Sequence, residues 1–219
     1  CTCDMCLIVD LSSLSLFLLF GPPAELTSSY STFVLAFGVL LCSYFSGIGT
    51  TCCTRPRGMT FEAWCYHTQI PEVTDLARAF PDTTIILDHF GGPLGTGPYQ
   101  ENADEVFEIW KTSVSELANC ENVFAKLGGI NMDVNGFGWH ENSKPPSSAE
   151  LADATRRYYD YAIEVFGTNR CMFESNFPVD KLSCSYQVIW NTFKRIASGA
   201  TATEKSALFH DTAAKVYSL

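Results

Sequence analysis

Positive charge is scarce in this chain. Fourteen Lys and Arg stand against 24 Asp and Glu, for a formal net charge of −10, and no basic run exceeds the pair Arg156-Arg157. That argues against a nucleic-acid partner, which needs basic residues gathered on one surface. Histidine is scarcer: His67, His89, His140 and His210 are the only four. Charge of either sign is nearly missing from residues 1–58, which hold only Asp4, Asp10, Glu25, Arg55 and Arg57. No basic stretch precedes Leu7, so that region does not read as a signal peptide. Cysteine is not lacking, but it is uneven. Six of the ten lie within the first 53 residues. Cys65, Cys120, Cys171 and Cys184, further on, have no metal-like spacing and read as buried free thiols.

What is present bounds the chain as one domain of ordinary size. It has 219 residues, and its 47% apolar content is ample for a core. Residues 1–58 differ from the rest. The apolar stretch 7–20 is short for a membrane span and contains Asp10; the stretch 33–48 is close to spanning length. Three readings stay open for this segment: a membrane anchor, structure belonging to the domain, or sequence foreign to it, the last favoured by its low charge and its many Cys, Ser and Phe. The first residue is Cys1, not Met, which suggests a fragment or a processed end. The expected domain is 59–219 and the expected location the cytoplasm, with membrane association through 33–48 as the alternative.

The organising stretch is Thr84-Ile-Ile-Leu-Asp-His89-Phe-Gly-Gly-Pro93. A short apolar run closed by Gly and Pro reads as a buried parallel strand, with Asp88 and His89 at its C-terminal tip. Around it the chain alternates. A strand over 60–67 precedes a helix opened by Pro71. A helix over 101–119 carries an apolar stripe through Val106, Trp110 and Val114. A strand over 122–127 ends in Gly128-Gly129. A long loop, 130–146, holds Trp139 and His140. Ser147 or Ser148 caps a helix that Gly167 ends. A strand over 170–174 leads into Ser175-Asn176-Phe177-Pro178, and helices over 183–197 and from Thr203 onward close the chain. Four strand–helix units and a last helix predict an α/β fold: a parallel sheet equal to half of a (β/α)8 barrel.

Five motifs occur in order: Phe61-Glu-Ala-Trp-Cys-Tyr-His67-Thr-Gln69, Ile86-Leu-Asp-His89-Phe-Gly-Gly-Pro93, Lys126-Leu-Gly-Gly129, Arg170-Cys-Met-Phe-Glu-Ser-Asn-Phe-Pro178, and the closing Ala207-Leu-Phe-His-Asp-Thr-Ala-Ala-Lys-Val-Tyr217. Together they resemble the C-terminal half of the amidohydrolase-related proteins, the branch of sugar lactonases and pyrone-dicarboxylate lactonase. The resemblance implies a TIM barrel in which the first strand supplies a His-x-His pair, the fifth and sixth strands further histidines, and the eighth an Asp that acts as base or metal ligand. By position, His67 falls on the fifth strand, His89 matches the sixth-strand histidine, Lys126 lies on the seventh, and Asn176 stands where most members carry the Asp. Two departures follow. No His-x-His occurs anywhere, so the first four strands have no counterpart, and an amide replaces the carboxylate. Asn is a poor base and a weaker ligand; Asp180 substitutes only if its loop turns back into the site.

The implied activity is hydrolysis of a lactone or other cyclic ester by activated water, in a truncated form expected to be inactive alone. The alternatives are a decarboxylase of the same barrel and an inactive half-barrel. The candidate catalytic residues are His89, Asn176 and Asp180; the candidate substrate-binding residues are His67, Gln69, Lys126 and His140. The implied cofactor is a divalent metal such as zinc, with His89 as its one candidate ligand, or none. The implied partner is a small lactone or carboxylated ring, with self-association through open barrel edges. Each residue has a plainer reading beside this one. His89 and Lys126 could be structural, His67 an exposed strand end, and His140 a surface residue; His210 reads as structural. Asp88 is expected to point away from His89, since neighbours on a strand alternate faces.

Overall fold

The computed structural model describes residues 60–219 and two backbone segments upstream, Val9–Asp10 (β1) and Ser15–Phe17 (β2). The span 33–48, and with it the membrane alternative, lies outside the described residues. Among those described, no helix is long and apolar enough to cross a membrane.

Four parallel strands form the body: β3 (Phe61–Ala63), β4 (Ile85–Leu87), β5 (Val123–Leu127) and β6 (Cys171–Phe173). Their register runs Phe61↔Ile85↔Val123 and Ala125↔Cys171. On the β3 side β2 adds a parallel strand, with Leu16 opposite Phe61, and β1 pairs antiparallel with β2. Part of the low-charge N-terminal segment therefore continues the sheet.

Helices link the strands as the sequence predicts: α1 (Ile70–Ala79), α2 (Ala103–Ala118), α3 (Ser148–Phe166) and α4 (Tyr186–Ile196). The cap of α3 is a reciprocal pair. Ser147 Oγ accepts from the Glu150 N–H at 3.3 Å, and the Ser147 N–H donates to Glu150 Oε2 at 2.7 Å, which satisfies two donors that a helix start leaves open. Two elements differ from expectation. The first strand stops at Ala63 instead of reaching His67, because Gln69 Oε1 takes the Tyr66 N–H at 3.1 Å and winds residues His67–Gln69 into a single 3-10 turn. The alternation of Cys65, His67 and Gln69 on a strand face is thus lost. The last helix is also not continuous. It divides into α5 (Ala202–Ser206), a π turn (Ala207–Asp211) and α6 (Thr212–Tyr217).

Side chains alternate across the sheet. Ile85, Leu87, Val123, Ala125, Leu127, Cys171 and Phe173 join the large core built with α1 to α4, around Trp110, Tyr159 and Phe193. Ile86, Phe124 and Met172 point the other way, into a small cluster closed by Ala213, Val216 and Tyr217 of α6. Cys65, Cys120, Cys171 and Cys184 are buried and free, as their spacing suggested.

Candidate active site at the strand tips

Continuing the alternation past Ile86, Phe124 and Met172 brings Asp88, Lys126 and Glu174 to the C-terminal ends of β4, β5 and β6. The inner face is apolar in the middle and charged at the tips.

His89 follows directly on Asp88 and leaves the strand in a left-handed conformation, φ 51°, as does Phe90 at φ 59°. Such a backbone costs on the order of 1–3 kcal/mol for a non-glycine residue and persists only when its surroundings fix it. Here the Phe90 carbonyl accepts from Trp110 Nε1 at 2.6 Å, and the Gly91 N–H donates to the Asp88 carbonyl at 2.8 Å. The turn carries the imidazole to Glu174, whose Oε1 meets Nδ1 in an ion pair. Gly129 leaves the space: a Cβ there would sit 2.6 Å from His89 Nδ1, and its φ of 72° favours glycine. The Gly-Gly after β5 is the gap into which this pair fits. Burial draws the His89 imidazole toward neutrality, but the Glu174 carboxylate outweighs it and raises the pKa. Burial likewise opposes ionisation of Glu174, and the His89 charge beside it holds its pKa below the usual range. Each partner thus favours the charged form of the other.

Asp180 is near enough to this pair for their charges to act on it. The turn Val179–Leu182 folds it back, as its use would require, and Asn176 Nδ2 donates to its Oδ1 at 2.8 Å. Asp180 is fully buried, and the side-chain amide of Asn131 faces its carboxylate as well. Burial pushes its pKa up to about 6 against the opposing bonds from Asn176 and Asn131 and the charge of His89. Asn176 and Asp180 are thus joined by a hydrogen bond that favours the charged carboxylate.

Lys126 reaches Glu62 Oε2 at 2.7 Å and Asp88 Oδ1 at 3.2 Å, and Tyr217 Oη donates to Glu62 Oε1 at 2.6 Å. Burial alone would discharge this lysine, but the carboxylates around it, Asp88 first, raise its pKa and keep it charged. Asp88 is pushed up to about 6 by burial, with Lys126 opposing. Its carboxylate turns to Lys126, in keeping with the expected alternation, while remaining close enough for its charge to act on His89.

The other candidates stand apart from this group. His67 is buried at the same end of the sheet, but its Nδ1 accepts from the Leu94 N–H at 3.3 Å and its ring meets Tyr99 edge-on. Burial lowers its pKa to about 4, which suits a neutral ring. Gln69 is spent on the Tyr66 N–H. His140 is half-exposed, 3.9 Å from Glu141, and His210 is exposed against Asp211 at 2.9 Å. Sequence reasoning passed over Glu62 and Tyr217 and did not place Glu174 among the candidate site residues. The signal for the acids was slight: Glu62 is the middle residue of a three-residue strand, and Glu174 stands two residues past Met172 on the same face.

Comparison with known proteins decides the family. Residues 53–219 match the amidohydrolase family. The chain belongs to that family. It is 40% identical over 161 residues to the uncharacterized protein y4mH of Sinorhizobium fredii, covering 74% of this chain and 48% of that one. It is 28% identical over 160 residues to an L-fucono-1,5-lactonase of Burkholderia multivorans, covering 73% and 51%. A crystal structure of an amidohydrolase from Burkholderia multivorans with bound HEPES superposes with a TM-score of 0.66 at 27% identity, covering 76% of this chain and 55% of that one. The chain thus spans about half the length of the curated relatives it matches, and its four-stranded body is part of an amidohydrolase TIM barrel.

An amidohydrolase from the same Burkholderia has been solved with bound zinc. Among the described residues no three His, Cys, Asp or Glu side chains are grouped to hold a metal, and His89 Nδ1 is taken by Glu174. The described residues do not fit a metal by themselves.

Proposed function

We propose that this chain carries the acid–base side of a hydrolase site that opens a lactone or similar cyclic ester. The supporting observation is the ion pair of His89 and Glu174 within reach of the charge of Asp180, a buried carboxylate held by side-chain amides with its pKa pushed up to about 6.

In this reading water attacks the ring carbonyl carbon and gives its proton to the Asp180 carboxylate. The His89 Nε2–H donates to the oxygen on which charge develops, with Glu174 holding the ring charged and oriented. The ring C–O bond then breaks, and the leaving alkoxide takes the proton from Asp180. Asn176 keeps the carboxylate aimed. The fucono-lactonase relative agrees with this class of reaction. The decarboxylase alternative calls for a free cation near the substrate carboxylate, and Lys126 is already engaged by Glu62 and Asp88. The remaining side of the site would come from the other four strands of the barrel.

The test is proton release from a panel of sugar 1,5-lactones, L-fucono-1,5-lactone included. Two samples are compared: the 219-residue chain, and residues 60–219 fused behind the preceding half of the Burkholderia lactonase. The fusion should turn over lactone and lose about 100-fold or more in kcat on His89→Ala, the scale of a lost acid–base or electrostatic group. The chain alone should be silent. A fusion indifferent to His89 would sink the reading.

A further inference from the structure

The inner row of each strand of the body runs to the same end of the sheet. On β4, β5 and β6 it reaches Asp88, Lys126 and Glu174. On β3 it runs from Glu62 to Trp64, just past the strand's end. Trp64 is set unlike the other tryptophans. Trp110 lies in the outer core, and Trp139 and Trp190 pack against it. Trp64 belongs to neither apolar cluster and is half-buried. What holds it is the rim of the site. Its ring meets His89 at 5.4 Å between centres and 77° between planes, and Tyr66 at 5.3 Å and 63°. Gly92 makes room for the indole as Gly129 does for the imidazole: a Cβ there would sit 2.5 Å from Trp64 Cζ3, at a φ of 41°. The His67 N–H donates to the Gly92 carbonyl at 3.3 Å and ties that turn to the segment after Trp64.

We propose that Trp64 is the specificity wall of the site, on which the C–H face of a sugar-type lactone ring lies. Small-molecule sites pair apolar walls with a few polar groups that fix orientation. His89, Glu174 and Asp180 are the polar groups, and Trp64 is the apolar wall beside them. The face of an indole carries negative potential and attracts the positive ends of C–H bonds. Because the two ring planes stand nearly perpendicular, a flat ring stacked on Trp64 turns its edge toward His89. The edge is where the ring carbonyl sits. The position of Trp64 on the inner row is set by its own strand and points it to the barrel interior, so closure by the remaining strands leaves it lining the site. This inference rests on the lactone reading and adds to it what holds the ring.

Two measurements test it. In the fused barrel, KM and kcat for L-fucono-1,5-lactone are compared for wild type, Trp64→Met and Trp64→Phe. Met keeps apolar bulk without a ring. It should raise KM about tenfold, the scale of losing a few tens of square ångströms of apolar contact, and hold kcat within about threefold. Trp64→Phe should recover most of that loss. An unchanged KM overturns the inference, as does a fall in kcat at constant KM, which would put Trp64 to work through His89 alone. A fusion that needs His89 and ignores Trp64→Met refutes the wall and leaves the lactone reading standing. The second measurement needs neither turnover nor a folded Met variant. The 219-residue chain is labelled with 5-fluorotryptophan and titrated with L-fucono-1,5-lactam, a ring that does not open, while fluorine NMR follows the four tryptophans. The signal missing from Trp64→Phe should move, and that of Trp110, buried in the core, should stay. A Trp64 signal that does not respond to the lactam refutes the wall even where the fusion is inactive; one that responds there supports ring binding and places the failure in the hydrolysis reading.

Discussion

The two faces of the sheet are built on opposite principles from neighbouring residues of the same strands. On the outer face every strand position is apolar and meets apolar helix residues, with Trp110, Leu117, Leu151 and Phe193 wholly buried. On the inner face three apolar residues sit among Glu62, Asp88, Lys126 and Glu174, and charge pairs fill the space that packing fills elsewhere. The outer face is stabilised by area and shape. The inner face is held by compensation, where each charge is tolerable only while its partner stays. The lesson is that these faces should fail differently.

The largest difference should appear on truncating each face at its centre. Trp110→Ala removes the largest fully buried side chain of the outer core and its bond to the Phe90 carbonyl. It should cost about 3–5 kcal/mol in denaturant unfolding, the usual range for a buried aromatic, and no second substitution nearby should recover much of it. Because the same bond helps fix the left-handed backbone at Phe90, the variant should also loosen His89, visible as faster exchange of the Gly91 amide.

That prediction rests on residues whose roles were legible beforehand. The run Thr84 to Leu87 announced a buried strand, and the Gly-Gly-Pro after it announced a sharp exit. Val106, Trp110 and Val114 showed the buried stripe of α2, and the pair Ser147-Ser148 marked a helix start. Local chemistry sufficed for each. The inner face was legible only in part. Glu62 and Lys126 are 64 residues apart, and Tyr217 is 155 residues from Glu62, so nothing local tells that they meet. Only the period-2 row could place Glu62, Asp88, Lys126 and Glu174 on one side, and a three-residue strand is too short to make that row stand out. The turn at His67 was hidden for another reason: a single side-chain bond from Gln69 ends a strand whose composition would have let it continue.

A middle-sized effect should come from breaking compensation. Lys126→Met leaves Glu62 and Asp88 buried without their cation and should cost about 3 kcal/mol, as losing one partner of a buried pair commonly does. Unlike the outer-face change, it should be recoverable. Adding Glu62→Gln and Asp88→Asn removes the stranded charges and should return at least half of the loss. If the triple variant is no more stable than Lys126→Met, the inner face is held by shape after all and the contrast between the faces is wrong.

The smallest effect should have the opposite sign, and it concerns Asp180. Its ordinary pKa of 3.8 rises to about 6 in the folded chain because burial opposes its charge. Below about pH 3.8 the carboxyl is protonated both folded and unfolded, and burial costs nothing through ionisation. Between the two values the unfolded chain releases a proton that the folded chain retains, so the folded state loses ground as pH rises. Above about pH 6 both are ionised and the penalty is complete. Asp180→Asn keeps an oxygen for the Asn176 amide and removes the charge. It should therefore stabilise the chain by about 1–2 kcal/mol at pH 7–8, less than the full linkage because the opposing contacts to Asn176 and His89 weaken too, and by nothing at pH 3.5. Unfolding midpoints of the two proteins at both pH values measure this directly. The same substitution should abolish lactone turnover in the fused barrel, a gain in stability at the cost of the proton acceptor. An equal gain at both pH values would show that packing and not charge makes Asp180 costly, and would remove the physical basis for casting it as the base.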